Sequence, residues 1–279
     1  MAGASDASAT NRLSWDARVP VHTGSDYYRA HIDQLRRRDP VGVLPGWIER
    51  ELPPVEGKSL LHLQCHLGTD TVALGLMGAK VTGLDFSEPA IAFARQLAHD
   101  AGVDASFIQA DATRASDALP DTAFDIVFAS IGVFCWIEDI TAWFTSAATL
   151  IKPGGTLYIA DDHPFVNALT DTAQGDLNAV PGYFSKDPLY EGEGGTYADD
   201  GTNAKVPPSV EYNHTIGEFV TTIASAGLVI DFLHEHPGCS YKRYEAMTKT
   251  PEGRWALPAD LDLHIPMNFS LRARKPPIR

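Results

Sequence analysis

Four short stretches, each at the end of an apolar run, hold residues that could do chemistry: HLQCHLGTD (62–70), Asp85 in VTGLDFS, Asp111 in FIQADAT and His163 in ADDHPF. An apolar run turned by Gly68 into a helical pattern is the strand–turn–helix at which open α/β sheets bind ligands. An acid about twenty residues further on, here Asp85, suits acceptance from both hydroxyls of a ribose. No basic residue accompanies Asp85 to receive a 2′-phosphate, which disfavours NADP, and the glycine spacing usual for NAD is missing. Imidazole titrates near neutrality, so His163 and His214 are candidate general bases. The alternative for His163 is a structural place beside Pro164, and for His214 a capping role with Asn213. His234 and His236 alternate along one strand without a third ligand nearby, so no metal site is expected.

These residues need elements to position them. Strands are expected at 59–63, 80–86, 105–111, 124–130, 156–161, 228–236 and 268–276. Helices are expected at 25–38, 41–51, 69–77, 88–101 (opened by Ser87 and closed by Gly102) and 216–226. Strands that alternate with helices imply right-handed crossovers and a doubly wound α/β sheet covered on both faces. Residues 1–12 are small and polar and suggest a disordered leader. A helical segment follows over 13–57, then the sheet domain over 58–279. Within it, 162–213 is rich in Gly, Pro, Asp, Glu and Tyr, as a functional or a disordered insertion would be.

Composition removes several classes of function. A net charge of -14 over 279 residues opposes binding to nucleic acid or anionic membrane. Three cysteines, Cys65, Cys135 and Cys239, form no CxxC pair, which argues against disulfides and thiolate zinc and for a reducing, cytoplasmic location. Neither a signal-type N-terminus nor an apolar run of about 18 residues occurs.

Taken in order, LLHLQCHLGTD, VTGLDFS, FIQADA, FDIVFAS and LIKPGGTLYIADDHPF resemble the class I S-adenosylmethionine-dependent methyltransferases over residues 58–162, with a looser match to the end. The resemblance implies a mostly parallel, seven-stranded Rossmann-like sheet with an antiparallel last strand, an N-terminal helical lid and an insertion after strand 5. S-adenosyl-L-methionine would be the cofactor and S-adenosyl-L-homocysteine the product. Gln64, His66, Gly68 and Asp70 would meet its methionine and ribose, Asp85 the ribose hydroxyls and Phe86 the adenine. Asp111 would accept from the adenine amino group, the N–H of Ala112 would donate, and Ser130 and Ile131 would lie under the methionine.

This chain departs from the family in its first motif. His62 stands where an acid is usual, and Gln64 and His66 stand where glycines are usual. Gln64 is expected to offer its amide to the ligand's carboxylate or amine, and His66 to be either a plain turn residue or a side-chain grip. Trp15, His22 and Tyr28 would form the lid or simply pack against the sheet. Trp136, with Phe134 and Trp143, would line the pocket or the core, and Tyr183 would belong to a substrate cover. The acceptor would be a small molecule with an O, N or C nucleophile, and the acidic insertion favours a neutral or cationic one. Two rivals stand beside methyl transfer: use of the cofactor's aminobutyryl arm, and cofactor binding without catalysis. A monomer or homodimer is expected.

Overall fold

The computed structural model describes residues 4–277 apart from 173–175, 181, 199–203, 252 and 262. Three helices lead in: α1 (Ala4–Gly24), α2 (Asp26–Arg36) and α3 (Gly46–Glu51). The sheet domain then alternates β1 (Ser59–Leu63), α4 (Thr69–Leu76), β2 (Lys80–Asp85), α5 (Glu88–Ala101), β3 (Ala105–Gln109), a short α6 (Ala115–Ala118), β4 (Phe124–Ala129), α7 (Ile140–Thr149) and β5 (Ile151–Asp162). After β5 come short pairs β6 (Leu169–Asp171) with β7 (Leu177–Ala179), and β8 (Leu189–Glu191) with β9 (Ser209–Glu211). The chain closes with α8 (Ile216–Ser225), β10 (Val229–His236), the small strands β11 (Gly238–Cys239), β12 (Thr248–Lys249) and β13 (Trp255–Ala256), and β14 (Asn268–Arg274).

The main sheet has seven strands in the order β10-β14-β5-β4-β1-β2-β3, and β14 runs antiparallel to both its neighbours. Side chains alternate between the two faces of a strand. Leu60 therefore joins a core with Val72, Ile91, Phe128 and Tyr158, whereas Leu61 joins Trp143, Phe144 and Phe269 on the other face. Both leucines are fully buried, as a two-sided parallel sheet requires, and each such burial contributes about 1.5–3 kcal/mol. Helix α5 is bounded by its own sequence: the Ser87 hydroxyl accepts from the N–H of Ala90, and Gly102 ends it in the left-handed conformation at φ 64°.

Several sequence expectations need correction. Residues 4–12 are helical and not a disordered leader; residues 1–3 lie outside the described residues. The alanine-rich start favours helix, and Asn11 fixes it by exchanging hydrogen bonds with the Val210 backbone on β9. The helix expected over 41–51 begins only at Gly46, because Pro40, Gly42 and Pro45 hold the preceding chain in turns. The insertion is built of turns and short strand pairs. Of the two places expected for Phe134 and Trp143, pocket or core, they take the core, at 2% and 0% exposure.

Candidate active site

A cavity of about 670 Å³ opens at the carboxyl ends of β1, β2 and β4. This lies within the roughly 300–1,000 Å³ typical of small-molecule sites. Its floor includes Gln64, His66, Asp70, Asp85 and Ser130; Trp15, Arg18 and Tyr28 cover it from α1 and α2, and Tyr197 and Glu211 from the insertion.

The turn after β1 has the shape of a glycine-rich loop with only one glycine. Gln64, His66 and Gly68 have φ of 57°, 46° and 73°. Left-handed backbone costs a non-glycine residue about 1–2 kcal/mol, and tertiary bonds offset that cost here. The Gln64 amide donates to Val133 O at 3.0 Å and accepts from the Trp143 indole N–H at 2.9 Å. It is thus engaged within the protein, contrary to the expectation that it serves a ligand. The His66 N–H donates to Asp85 Oδ2 at 2.9 Å, and Cys65 N–H to Leu84 O at 3.0 Å.

Gly68 is the position where the side chain itself is excluded. A Cβ there would lie 2.7 Å from Ala94 Cβ, in addition to the positive φ. Gly68→Ala is expected to lower stability by about 2–4 kcal/mol, from overpacking plus backbone strain. An unchanged urea midpoint would show that the turn relaxes freely.

The His66 ring is hydrogen-bonded within the protein and is not left exposed at a plain turn. His66 Nε2 lies 2.8 Å from His22 Nδ1, and His22 Nε2 lies 2.7 Å from Thr196 Oγ1. One chain of hydrogen bonds thereby joins the β1 turn, α1 and the insertion. Burial holds both imidazoles in the neutral form: the His22 pKa falls to about 3 and that of His66 falls well below its usual value. Neutrality lets each ring be a donor on one nitrogen and an acceptor on the other. Beside them, the hydroxyls of Tyr28 and Tyr197 meet at 2.5 Å, and Trp15 packs edge-on to His66 and Trp136. His62 is buried and bonded through Nδ1 to Thr71 Oγ1 at 2.8 Å, as a core histidine.

Two acids face the cavity from under the roof. Asp85 is 6% exposed and accepts from the N–H groups of His66 and Ser87, each at 2.9 Å. Burial, reinforced by Asp16, pushes its pKa up to about 6 against those two stabilising bonds. Asp70 is raised by burial too, and accepts from the Ser130 hydroxyl at 2.8 Å. Phe86 borders the same space.

Other expected residues fall elsewhere. Asp111 is exposed, does not line the cavity and caps the turn Ala112–Arg114 by accepting from Thr113 N–H and Oγ1. Ala112 is buried in the core. Tyr183 accepts from Ile216 N–H at 3.2 Å, at the start of α8 and away from the cavity. His163 and His214 line a separate recess of about 50 Å³. His163 Nδ1 accepts from Phe165 N–H at 3.1 Å, so Nε2 carries the proton and lies 3.0 Å from Glu235. His214 donates through Nε2 to Ile137 O at 2.6 Å. Burial lowers the pKa of both, and neither borders the large cavity.

Sequence reasoning missed Arg18, Glu211, Tyr241 and Arg243 in the cavity wall. Asp161, at the end of β5, accepts from the N–H groups of Gly132, Val133, Phe134 and Asp162, and so shapes the loop after β4. Among the described residues no group of three or more His, Cys, Asp or Glu is placed to hold a metal, and no helix is long and apolar enough to cross a membrane.

Residues 61–159 match a family described as a methyltransferase domain. A ubiquinone biosynthesis O-methyltransferase of Rhizobium leguminosarum is 33% identical over 107 residues, covering 38% of this chain and 41% of that protein. One of Sinorhizobium medicae is 30% identical over 141 residues, covering 50% and 54%. The chain thus spans about half the length of these curated relatives or less. Among solved structures, an S-adenosylmethionine-dependent methyltransferase from Mesorhizobium loti aligns with a TM-score of 0.58 at 21% identity, over 82% of this chain and 96% of that one. Another, from Clostridium acetobutylicum, aligns with a TM-score of 0.55 at 14% identity, over 89% and 98%. The fold is therefore the class I methyltransferase fold. Within that fold, residues 61–159 are similar to the methyltransferase domain family.

Proposed function

We propose that the protein transfers a methyl group from S-adenosylmethionine to a small-molecule acceptor in the large cavity. The observation that carries this reading is the pairing of the left-handed turn Gln64–His66–Gly68 with the buried Asp85 carboxylate on one side of a roofed cavity. Asp85 retains acceptor capacity for ribose hydroxyls beyond its two backbone bonds. Asp70, Phe86 and Ser130 would complete the cofactor's place, with Asp111 and Ala112 at the adenine end beyond the cavity.

The cofactor supplies an electrophilic methyl group on a sulfonium. The protein's part in such an in-line displacement is to align the acceptor and keep water out. Trp15, Tyr28, Trp136 and Tyr197 make that cover, and the His66–His22–Thr196 chain fastens it.

Calorimetry with S-adenosylhomocysteine, followed by incubation of the protein with S-adenosylmethionine and a metabolite extract, tests the reading. The expected results are saturable binding, a product heavier by one CH₂, and S-adenosylhomocysteine as by-product. Absence of binding would overturn it, and methylthioadenosine as by-product would mean that the aminobutyryl arm is used instead.

A further inference from the structure

Arg18 has no role in the reading above, yet it lines the large cavity while being only 8% exposed. Its guanidinium lies over two indoles, 5.0 Å from the Trp15 ring centroid and 5.3 Å from that of Trp136. Nη1 donates to Ser14 Oγ at 2.6 Å, and among the described residues no carboxylate comes within ion-pair distance. A guanidinium has five N–H donors, so most of them remain for whatever fills the cavity. Arg243, a half-buried arginine of the same wall, is by contrast committed: it donates to Tyr241 Oη and Asn167 Oδ1 and lies 3.6 Å from Asp162.

Burying a cation is unfavourable, and burial lowers the Arg18 pKa although Tyr197 and the Glu211 carboxylate, the latter beyond ion-pair distance, oppose the fall. The cation is nevertheless held rigidly. Trp136 is fixed by its indole N–H on Gly132 O at 2.7 Å, and α1 is tied to the insertion through Asn11 on Val210 and Ser14 on Pro207. Stacking on indoles leaves the edges of the guanidinium plane available, which is where it takes a carboxylate through two parallel bonds.

The place of Arg18 along α1 tells the two ends of the cavity apart. His22, one turn later, meets His66 of the β1 turn, whereas Asn11 and Ser14, earlier on the helix, meet the insertion. Arg18 faces Cys135, Tyr197 and Glu211, the loop after β4 and the insertion. We propose that Arg18 receives a carboxylate of the methyl acceptor, and hence that the acceptor is an organic acid. The aromatic side chains of Tyr27, Tyr28, Trp136 and Tyr197 in the wall of the same cavity suit a planar apolar body. This inference rests on the methyl-transfer reading, and it replaces the neutral or cationic acceptor suggested by the acidic insertion.

The test titrates benzoate, phenylacetate and acetate, each beside its amide, into protein with and without S-adenosylhomocysteine. Binding is followed by tryptophan fluorescence and calorimetry for the wild type, Arg18→Met and Arg18→Lys, after equal urea midpoints show that the variants are folded. At least one acid should bind tenfold or more tighter than its amide; Arg18→Met should erase that preference and Arg18→Lys should keep part of it. Equal binding of acid and amide, or no acid binding, overturns the proposal. So does Arg18→Met weakening S-adenosylhomocysteine but not methylthioadenosine, which lacks the carboxylate, because that places Arg18 on the cofactor. Loss of S-adenosylhomocysteine binding in the wild type would count against methyl transfer alone, since the acid-over-amide comparison is also made without it.

Discussion

Asp161→Ala should destabilise the protein by about 3–5 kcal/mol, the loss expected when a buried group that satisfies several donors is removed. Its two oxygens collect the N–H groups of Gly132, Val133, Phe134 and Asp162, and the residue is 3% exposed. Alanine leaves these donors facing a void, and an asparagine replaces one of the two acceptor oxygens with an amide donor. The loop they shape carries Trp136, whose indole bonds Gly132 O, and Val133, whose carbonyl holds Gln64. Urea unfolding measures the stability change, and calorimetry should show cofactor affinity falling in the folded fraction too. A loss below about 1 kcal/mol would place Asp161 among ordinary surface-like hydrogen bonds.

Asp85→Asn should weaken S-adenosylhomocysteine by about 1–3 kcal/mol, or roughly fivefold to 150-fold, because a paired acceptor becomes a donor. The pH dependence gives an independent check. In the free protein burial pushes the Asp85 pKa up from its ordinary 3.8 to about 6. Below pH 6 its carboxyl is protonated and loses an acceptor for the ribose, so affinity should fall as pH drops from 7 to 5. In Asp85→Asn the corresponding profile should be flatter. Stability has the opposite sign: a raised folded pKa means the contribution is full below pH 3.8 and is lost as pH rises through about 6. Affinity that is constant from pH 7 to 5 in the wild type would remove Asp85 from the cofactor site.

The sheet was legible because its strands are apolar runs long enough to show themselves, and because Ser87 and Gly102 bound α5 by local chemistry. The small strands were not. β11, β12 and β13 have two residues each, too few to carry a period, and they are held by a core of Val166, Cys239, Tyr244, Met247 and Met267 drawn from both sides of β10. In the site, the turn and Asp85 could be read because strand ends fix them. The role of Asp161 was not legible because its partners in the loop after β4 lie 27–29 residues away in the chain and meet it only once β4 and β5 are adjacent. His163 and His214 had the right chemistry in sequence, but their side chains turn toward Glu235 and Ile137. The link of His22 to His66 spans 44 residues, and that of His22 to Thr196 spans 174, so no local pattern announces either.

The left-handed turn at Gln64 and His66 bears on the order of folding. Glycines would let such a turn form locally, at little steric cost. Here its shape depends on Trp143 from α7, Val133 after β4 and His22 from α1. The turn must therefore mature after those distant elements have docked. Substitutions at Gln64 should then speed unfolding while leaving the folding rate nearly unchanged, as for contacts absent from the transition state. Competence to hold the cofactor would be among the last properties the chain acquires, and its binding would report on molecules that have finished folding.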